Sequence, residues 1–321
     1  MEAFSDGVLA IITIMVLELT VPHEPTLAAQ RAPMEIKEST FDTGAVILNY
    51  AEVPSPGRPL VLLHGGNARW QAFESILSDL APWHVYAPDF RGHGKSGWVP
   101  NSYRLQDYTD DTIAFLRYHL HQPAYLFGHS LGGIVALLVA AQYPAGVRAV
   151  AVGDAPLSSQ TWHEALLQGQ DRIAAWRDLS GGQKSMDQLV DILKDSPVEA
   201  PGRPGPVSMR EVMGEDALVY AWLATNLYQS DPDMLTALLE RFEATVAGYE
   251  MDAVLPAIHC PVLLLQADPT AGGLMTNAEV EQALPLLAQP SHVRIEGVSH
   301  VFHNERKEPI VAALKAFFQS Y

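Results

Sequence analysis

Short apolar runs alternate with longer helix-like stretches from about residue 40 to the end of the chain. The runs predict strands at residues 45–50, 60–63, 83–87, 124–127, 149–152, 261–265 and 292–295. They are nearly continuous and rich in β-branched and large apolar residues, as in strands buried on both faces of a parallel sheet. The intervening stretches, among them 106–119, 132–142 and 309–320, predict helices. This alternation predicts an α/β fold with a doubly wound, mostly parallel sheet.

The strand rhythm stops between residues 156 and 252, a segment that we call the cap. Its pattern predicts helices at 160–179, 185–194, 208–227 and 233–247, with a proline- and glycine-rich break at 197–206. We predict that the cap is inserted into a core formed by residues 40–155 and 253–321, and that it covers the carboxyl ends of the strands, where such sheets bind ligands. Its aromatic side chains line a pocket or pack the cap against the core: Trp162, Trp176, Tyr220, Trp222 and Tyr228.

The beginning of the chain has a different pattern. An apolar run at residues 8–17, interrupted by Thr13 alone, predicts a hydrophobic helix within residues 1–22, followed by a proline-containing linker at 23–39. The run is shorter than the roughly 20 residues that span a bilayer. It lacks the basic flank of a signal peptide. An exposed apolar helix favours association, so we expect it to pack on its own domain or to form a homo-oligomer, with peripheral membrane contact or no role as alternatives.

Residues 1–22 also resemble the first transmembrane helix of the small bacterial potassium channels related to the endolysosomal potassium channel. The resemblance includes the motif Phe4-Ser5-Asp6. Nothing after Pro22 continues it, and one such helix cannot build a pore. The resemblance therefore implies a fused leader and no channel activity.

Composition and charge restrict the partners of this 321-residue chain. Apolar residues make up 48% and charged residues 18%, which excludes a disordered chain. The 20 basic and 37 acidic residues give a net charge of −17, which would repel a nucleic acid. A single cysteine, Cys260, rules out an intrachain disulfide and fits the cytoplasm. Without a Walker loop, a G-x-G-x-x-G motif or zinc-ligand spacing, we predict no cofactor and no metal.

Residues 128–132 fit the pattern G-x-S-x-G, between an apolar run and an alanine-rich helix. This turn presents a serine hydroxyl at the end of a strand, so Ser130 is the predicted nucleophile. A hydroxyl needs a general base. His300 follows the last predicted strand and is the predicted base, with His303 as the rival. A purely structural histidine is the alternative for both.

The base needs a carboxylate that orients it. Asp268 follows the predicted strand at 261–265 and is the predicted acid. The order Ser130, Asp268, His300 is the order that accompanies this kind of nucleophile turn. Asp154, which follows the preceding strand, is the alternative.

An acyl-transfer reaction also needs N–H donors for the oxyanion. The backbone N–H of Leu131 lies at a predicted helix N-terminus, where the helix dipole assists. The backbone N–H of Gly66, in the loop after His64, is the predicted second donor, and Asn67 is placed to assist.

With these motifs, residues 40–321 resemble the α/β-hydrolase superfamily, in particular its capped branch of esterases and epoxide hydrolases. The resemblance is carried by residues 63–66 (LHGG), 89–96 (DFRGHGKS), 128–133 (GHSLGG), 297–300 (GVSH) and the Asp268 loop. Ser130 stands where epoxide hydrolases and haloalkane dehalogenases carry aspartate, which argues against those reactions. The loop at 266–273 lacks the family's usual glycine and doubled acidic residues, which weakens the assignment of Asp268.

The resemblance implies a serine carboxylic-ester hydrolase that acts through an acyl-enzyme on small-to-medium, moderately apolar esters. Lactonases, thioesterases, C–C bond hydrolases and cofactor-free haloperoxidases share this triad, and the sequence leaves them open. A non-catalytic ligand-binding protein on the same scaffold is the alternative from another class. The intact set of Ser130, Asp268 and His300 argues against it.

Overall fold

A computed structural model describes residues 35–198, 205–215 and 217–321. The predicted N-terminal helix lies outside these residues, so the homo-oligomer and the membrane contact expected from it stay predictions. None of the helices in the described ranges is long and apolar enough to cross a membrane. The predicted linker extends too far, because the first strand already begins at Lys37. That strand is exposed along most of its length and therefore lacks the apolar pattern of a buried strand.

Eight strands form the main sheet, and two short strands within the cap form a separate ribbon. The bounds are β1 (Lys37–Asp42), β2 (Ile47–Val53), β3 (Pro59–Leu63), β4 (His84–Pro88), β5 (Ala124–His129), β6 (Val147–Gly153), β7 (Pro197–Val198), β8 (Val207–Ser208), β9 (Val262–Gln266) and β10 (Pro290–Arg294). The main sheet has the order β1-β2-β4-β3-β5-β6-β9-β10. Strand β2 pairs antiparallel with β1 and β4, and the other pairs are parallel. The predicted mostly parallel sheet is confirmed.

The centre of the sheet is buried on both faces, as the continuous apolar runs predict. Every residue of β3, β5 and β9 is buried. In β3, Val61 and Leu63 join the core on one face, whereas Leu60 and Leu62 join the core on the other. Strand β10 differs, because it lies at the sheet edge and its residues are exposed or half-buried.

Helices fill the segments between the strands. Their bounds are α1 (Glu74–Leu77), α2 (Leu105–Phe115), α3 (Leu131–Gln142), α4 (Ser159–Leu179), α5 (Met186–Asp195), α6 (Met209–Met213), α7 (Val219–Tyr228), α8 (Pro232–Glu240), α9 (Phe242–Val246), α10 (Met251–Val254), α11 (Asn277–Ala283), α12 (Phe302–Glu305) and α13 (Lys307–Gln319). The single helix expected at 208–227 is two helices, since Gly214 ends α6 with φ at +86°. The helix expected at 233–247 is likewise divided, at Arg241 between α8 and α9.

One of the hydrogen bonds of the cap holds it on the core, and another joins its two ends to each other. The Asp231 N–H donates to the Gly92 carbonyl oxygen at 2.9 Å. The Tyr249 hydroxyl donates to the Pro156 carbonyl oxygen at 3.0 Å. These contacts place the cap helices next to the loops that follow the central strands.

Candidate active site

Ser130 lies in the sharp turn between β5 and α3. Its φ of 53° and ψ of −120° form a combination that residues with a side chain rarely adopt. A hydrogen bond of 2.9 Å from the Ser130 N–H to the Gly153 carbonyl oxygen stabilises the turn. A Cβ atom at Gly128 would lie 2.1 Å from the Gly132 carbonyl oxygen, and one at Gly132 would lie 2.0 Å from the Leu63 carbonyl oxygen. Both glycines of the motif are therefore required by backbone packing, and Ser130 is held in a strained conformation.

His300 lies in the loop between β10 and α12, and two hydrogen bonds fix it. Its Nδ1–H donates to the Asp154 Oδ2 atom at 2.7 Å. Its carbonyl oxygen accepts a bond of 2.7 Å from the Nε2–H of His129, the residue before Ser130. With Nδ1 as the donor, Nε2 is the accepting nitrogen of the neutral His300 ring. The ring therefore has the tautomer that a general base requires.

Asp154 follows β6 and is completely buried. Its Oδ1 atom accepts hydrogen bonds from the N–H groups of Ala267 and Met275, at 3.1 and 3.2 Å. Its Oδ2 atom accepts the Leu274 N–H at 2.8 Å as well as the His300 ring. A buried carboxylate needs such donors, because they replace the water that it has lost.

Asp268 does not contact His300, and the structure corrects the sequence prediction on this point. Its Oδ1 atom accepts the Thr270 N–H at 2.9 Å and the Arg294 Nη2–H at 3.0 Å. Its Oδ2 atom accepts the Gly297 N–H at 3.0 Å. Burial raises the pKa of the Asp268 carboxyl, but these donors outweigh it and lower the pKa to about 2. Asp268 is thus an anion that holds the loop leading to His300, while Asp154 holds the His300 ring.

The sequence prediction failed because β6 and β9 are neighbouring parallel strands that are each followed by an aspartate. Their carboxyl ends lie at the same edge of the sheet, so strand position alone does not separate Asp154 from Asp268. The unusual sequence of the loop at 266–273 was the available sequence evidence against Asp268 as the partner of His300. In the structure, the chain just beyond that loop turns back, and the N–H groups of Leu274 and Met275 reach Asp154.

The loop with the predicted oxyanion donor Gly66 is held by two buried histidines. His64 donates from Nδ1 to the Gly65 carbonyl oxygen at 2.7 Å. His93 accepts the Asn67 N–H on Nε2 at 3.1 Å. Burial lowers the pKa of His64 to about 4 and that of His93 to about 3, so both rings are neutral. Because the Asn67 N–H is already used, the Asn67 backbone is no oxyanion donor in this arrangement.

One cavity brings four of the five predicted site residues together. Gly66, Leu131, Ser130 and His300 all line it, whereas Asp268 does not. Three of the five cap aromatics also line it: Trp162, Trp176 and Trp222. The other two do not: Tyr220 is buried and its hydroxyl donates to the Gly214 carbonyl oxygen, and Tyr228 is 42% exposed on the surface. The cavity is therefore largely apolar on the cap side and polar beside Ser130.

His303, the rival base in the sequence, also lines this cavity. Its ring lies against the His129 ring, with the centroids 4.7 Å apart. The Asp154 carboxylate is bonded to His300, so His303 lacks the orienting acid. Across residues 35–198, 205–215 and 217–321, no group of three or more His, Cys, Asp or Glu side chains is placed to hold a metal ion.

Comparison with known proteins agrees with this fold. A sequence profile of the α/β hydrolase fold matches residues 58–179, which include Ser130 and Asp154. The chain has the α/β hydrolase fold. The 2-(acetamidomethylene)succinate hydrolase of Mesorhizobium japonicum is 33% identical over 129 residues, which cover 40% of this chain and 46% of that protein. The chain spans about half the length of this and similar curated relatives that it matches.

Longer but more distant similarities show the same fold. Epoxide hydrolase A of Mycobacterium tuberculosis is 25% identical, over 87% of this chain and 96% of that protein. The crystal structure of an E-2-(acetamidomethylene)succinate hydrolase superposes with a TM-score of 0.68 at 20% identity, over 89% of this chain and 100% of that one. These relatives are named for different substrates, so the substrate must be inferred from the site itself.

Proposed function

We propose that this α/β-hydrolase-fold protein is a serine hydrolase of carboxylic esters that acts through an acyl-enzyme. The observation that carries the proposal is the joint placement of Ser130 and the His300–Asp154 pair at one cavity. A strained serine turn, a histidine of the correct tautomer and a buried carboxylate are the parts that nucleophilic acyl transfer needs.

The proposed reaction uses the residues in order. Ser130 Oγ attacks the ester carbonyl carbon, while His300 Nε2 takes its proton. Asp154 orients the ring and stabilises the imidazolium that forms. The N–H groups of Gly66 and Leu131 bind the oxyanion of the tetrahedral intermediate. His300 then protonates the leaving alcohol, and water releases the acid by the same steps.

The cavity also supports the class of ester. Its cap side carries the three tryptophans Trp162, Trp176 and Trp222, together with leucine and isoleucine side chains. Burial of an alkyl chain there contributes about 0.8 kcal/mol per methylene group. We therefore propose small-to-medium, moderately apolar esters as substrates.

Hydrolysis of p-nitrophenyl esters from acetate to dodecanoate tests this function, with wild type beside Ser130→Ala. We expect kcat to rise with chain length to a maximum set by the cavity. In the Ser130→Ala variant, kcat should fall by roughly 10³-fold or more, because triad residues act as a unit. Folded wild-type protein without turnover on any ester would contradict an esterase, and residual turnover equal to wild type in Ser130→Ala would contradict Ser130 as the nucleophile.

A further inference from the structure

The loop that follows β3 and holds the predicted oxyanion donor contacts the cap as well as the core. We call residues 65–69 the oxyanion loop. The Arg69 Nε–H donates to the Asn226 Oδ1 atom at 2.9 Å. The Ser230 hydroxyl lies 3.2 Å from the Asn67 Oδ1 atom. Asn226 belongs to the cap helix α7 and Ser230 to the turn after it, so the cap holds this loop at two points.

The two cap residues are buried polar side chains. Asn226 and Ser230 are each only 1% exposed. A guanidinium group has donors only, so the Asn226 amide must turn its oxygen toward Arg69. The Nδ2 atom of Asn226 is buried and has no hydrogen-bond partner among the described residues. The contact with the oxyanion loop is therefore what this buried amide provides, because burial without it would only cost free energy.

The conformation of Asn67 depends on these contacts. Its φ of 54° lies in the left-handed region, which costs free energy for a residue with a side chain. Its N–H donates to His93 Nε2 in the core at 3.1 Å, and its side chain meets Ser230 of the cap. The Ser230 hydroxyl is fixed in turn, since it donates to the Asn226 carbonyl oxygen at 2.7 Å. Because Asn67 directly follows Gly66, a change in its conformation would move the Gly66 N–H relative to the nucleophile.

The cap also reaches the core support of the oxyanion loop. The Asp231 N–H donates to the carbonyl oxygen of Gly92, which precedes His93, and the His93 ring accepts the Asn67 N–H. The Tyr103 hydroxyl donates to the Asp231 carboxylate at 2.5 Å and keeps this part of the cap in place. The cap segment 226–231 thus contacts the oxyanion loop both directly and through His93.

We propose that Asn226 and Ser230 are positioning residues that hold the oxyanion loop in the geometry in which the Gly66 N–H binds the oxyanion. This inference rests on the proposed function. The cap then contributes to the rate of the reaction and does more than cover the cavity. Because the oxyanion forms only on the way through the transition state, loss of these contacts should lower kcat and leave KM near its wild-type value.

Steady-state hydrolysis of p-nitrophenyl butyrate tests the two residues separately. Ser230→Ala removes the hydroxyl beside Asn67, and Asn226→Leu removes the acceptor of the Arg69 Nε–H. We expect kcat to fall roughly 10-fold in each, because a displaced oxyanion donor costs less than the roughly 10²- to 10³-fold of a deleted one. Asn226→Asp should recover most of the lost activity, since a carboxylate oxygen still accepts the Arg69 Nε–H.

A transition-state analogue separates positioning from a general change of the cavity. Ser130 Oγ adds to the carbonyl carbon of 1,1,1-trifluoro-2-pentanone, His300 takes the hydroxyl proton, and the carbonyl oxygen becomes the oxyanion. The inhibition constant of this ketone should rise in each variant by the factor by which kcat falls. The inhibition constant of butyl 4-nitrophenyl ether, which forms no oxyanion, should stay at its wild-type value.

Arg241→Leu is the matched control. The Arg241 Nη1–H also joins the cap to the core, through a bond of 2.9 Å to the Asn101 Oδ1 atom, and neither residue lines the cavity. The variant should keep the wild-type kcat and both inhibition constants. Circular dichroism and thermal denaturation show that each variant is folded. If Asn226→Leu does not fold, Ser230→Ala decides the outcome.

Folded variants with wild-type kcat and wild-type affinity for the ketone would overturn the positioning role. An equal loss of affinity for the ketone and the ether would also overturn it, because the whole cavity would then have changed. So would an equal loss of kcat in Arg241→Leu, which would assign the effect to cap attachment in general. Wild-type protein that neither hydrolyses the ester nor binds the ketone would instead contradict the proposed function, and this inference with it.

Discussion

Asp154 and Asp268 follow the neighbouring strands β6 and β9, so both carboxylates lie at the same edge of the sheet. Asp154 is completely buried and accepts three backbone N–H groups and the His300 ring. Asp268 lies nearer the surface, and its partners are Arg294, Thr270 and Gly297. One carboxylate orients an imidazole, and the other holds a loop.

The position of an acidic residue after its strand therefore does not decide which group its carboxylate binds. The chain after β9 carries Asp268, yet three of its own N–H groups, those of Ala267, Leu274 and Met275, bond Asp154. It therefore completes the site of the other aspartate. Asp268 acts one step further away, since its bond to the Gly297 N–H holds the start of the loop that ends in His300.

Asp154→Asn gives the largest expected effect. The amide can no longer stabilise the imidazolium, and its NH₂ group would face backbone donors such as the Leu274 N–H. We expect kcat to fall by roughly 10³- to 10⁴-fold, as for triad acids in general. Steady-state hydrolysis of p-nitrophenyl butyrate measures it, with circular dichroism to check folding. A folded variant that keeps a tenth of wild-type activity would exclude Asp154 as the orienting acid.

Asp268→Asn should affect stability more than turnover. The substitution removes the charge that binds Arg294 but leaves Asp154 on His300, so we expect a loss of at most roughly 10-fold in kcat. The free energy of unfolding should fall by about 1–3 kcal/mol, the range for a buried polar group that loses partners. Urea denaturation beside kinetics measures both. If Asp268→Asn lost as much activity as Asp154→Asn, our reading of the two aspartates would be wrong.

The smallest expected effect is a difference between wild type and Asp268→Asn in how the free energy of unfolding depends on pH. The pKa of Asp268 is lowered from 3.8 to about 2 in the folded protein. The stabilisation by the Asp268 carboxylate is therefore fully present above the pKa that Asp268 has in the unfolded chain. It is lost as the pH falls through the pKa of Asp268 in the folded protein. The difference between the two pKa values corresponds to a stabilisation of roughly 2 kcal/mol at most.

Urea midpoints at several pH values measure this contribution. The difference in unfolding free energy between wild type and Asp268→Asn should be constant near neutral pH and should shrink between about pH 4 and pH 2. A difference that stayed unchanged down to pH 2 would show that the carboxylate charge contributes nothing.

Much of the site could be predicted from local sequence. Ser130 and Leu131 are adjacent in a motif in which Gly128 is required by its close approach to the backbone of Gly132, and Gly66 lies three residues after the end of a buried strand. His300 lies in the loop after the last strand, as predicted. These positions depend on contacts within one strand, turn and helix, which the residue pattern specifies.

Other features depended on neighbours that are distant in the chain. Strand β1 has no apolar pattern, because it is an exposed edge strand that exists through pairing with β2. The environment of His303 is set by the folding of α12 against α1 and the cavity. Neither the formation of β1 nor the environment of His303 can be predicted from the residues that are adjacent to them in the chain.

The residue pattern alone was enough to predict the parallel α/β core, the sharp turn at Ser130 and the loop with His300, because hydrophobic periodicity and the contact of Gly128 with Gly132 act over a few residues. The choice between Asp154 and Asp268 as the partner of His300 required the folded arrangement of the loops. Hydrogen-bond partners of a buried carboxylate come from whichever backbone groups the folded loops bring within about 3 Å. For Asp154 these groups lie more than a hundred residues away in the chain.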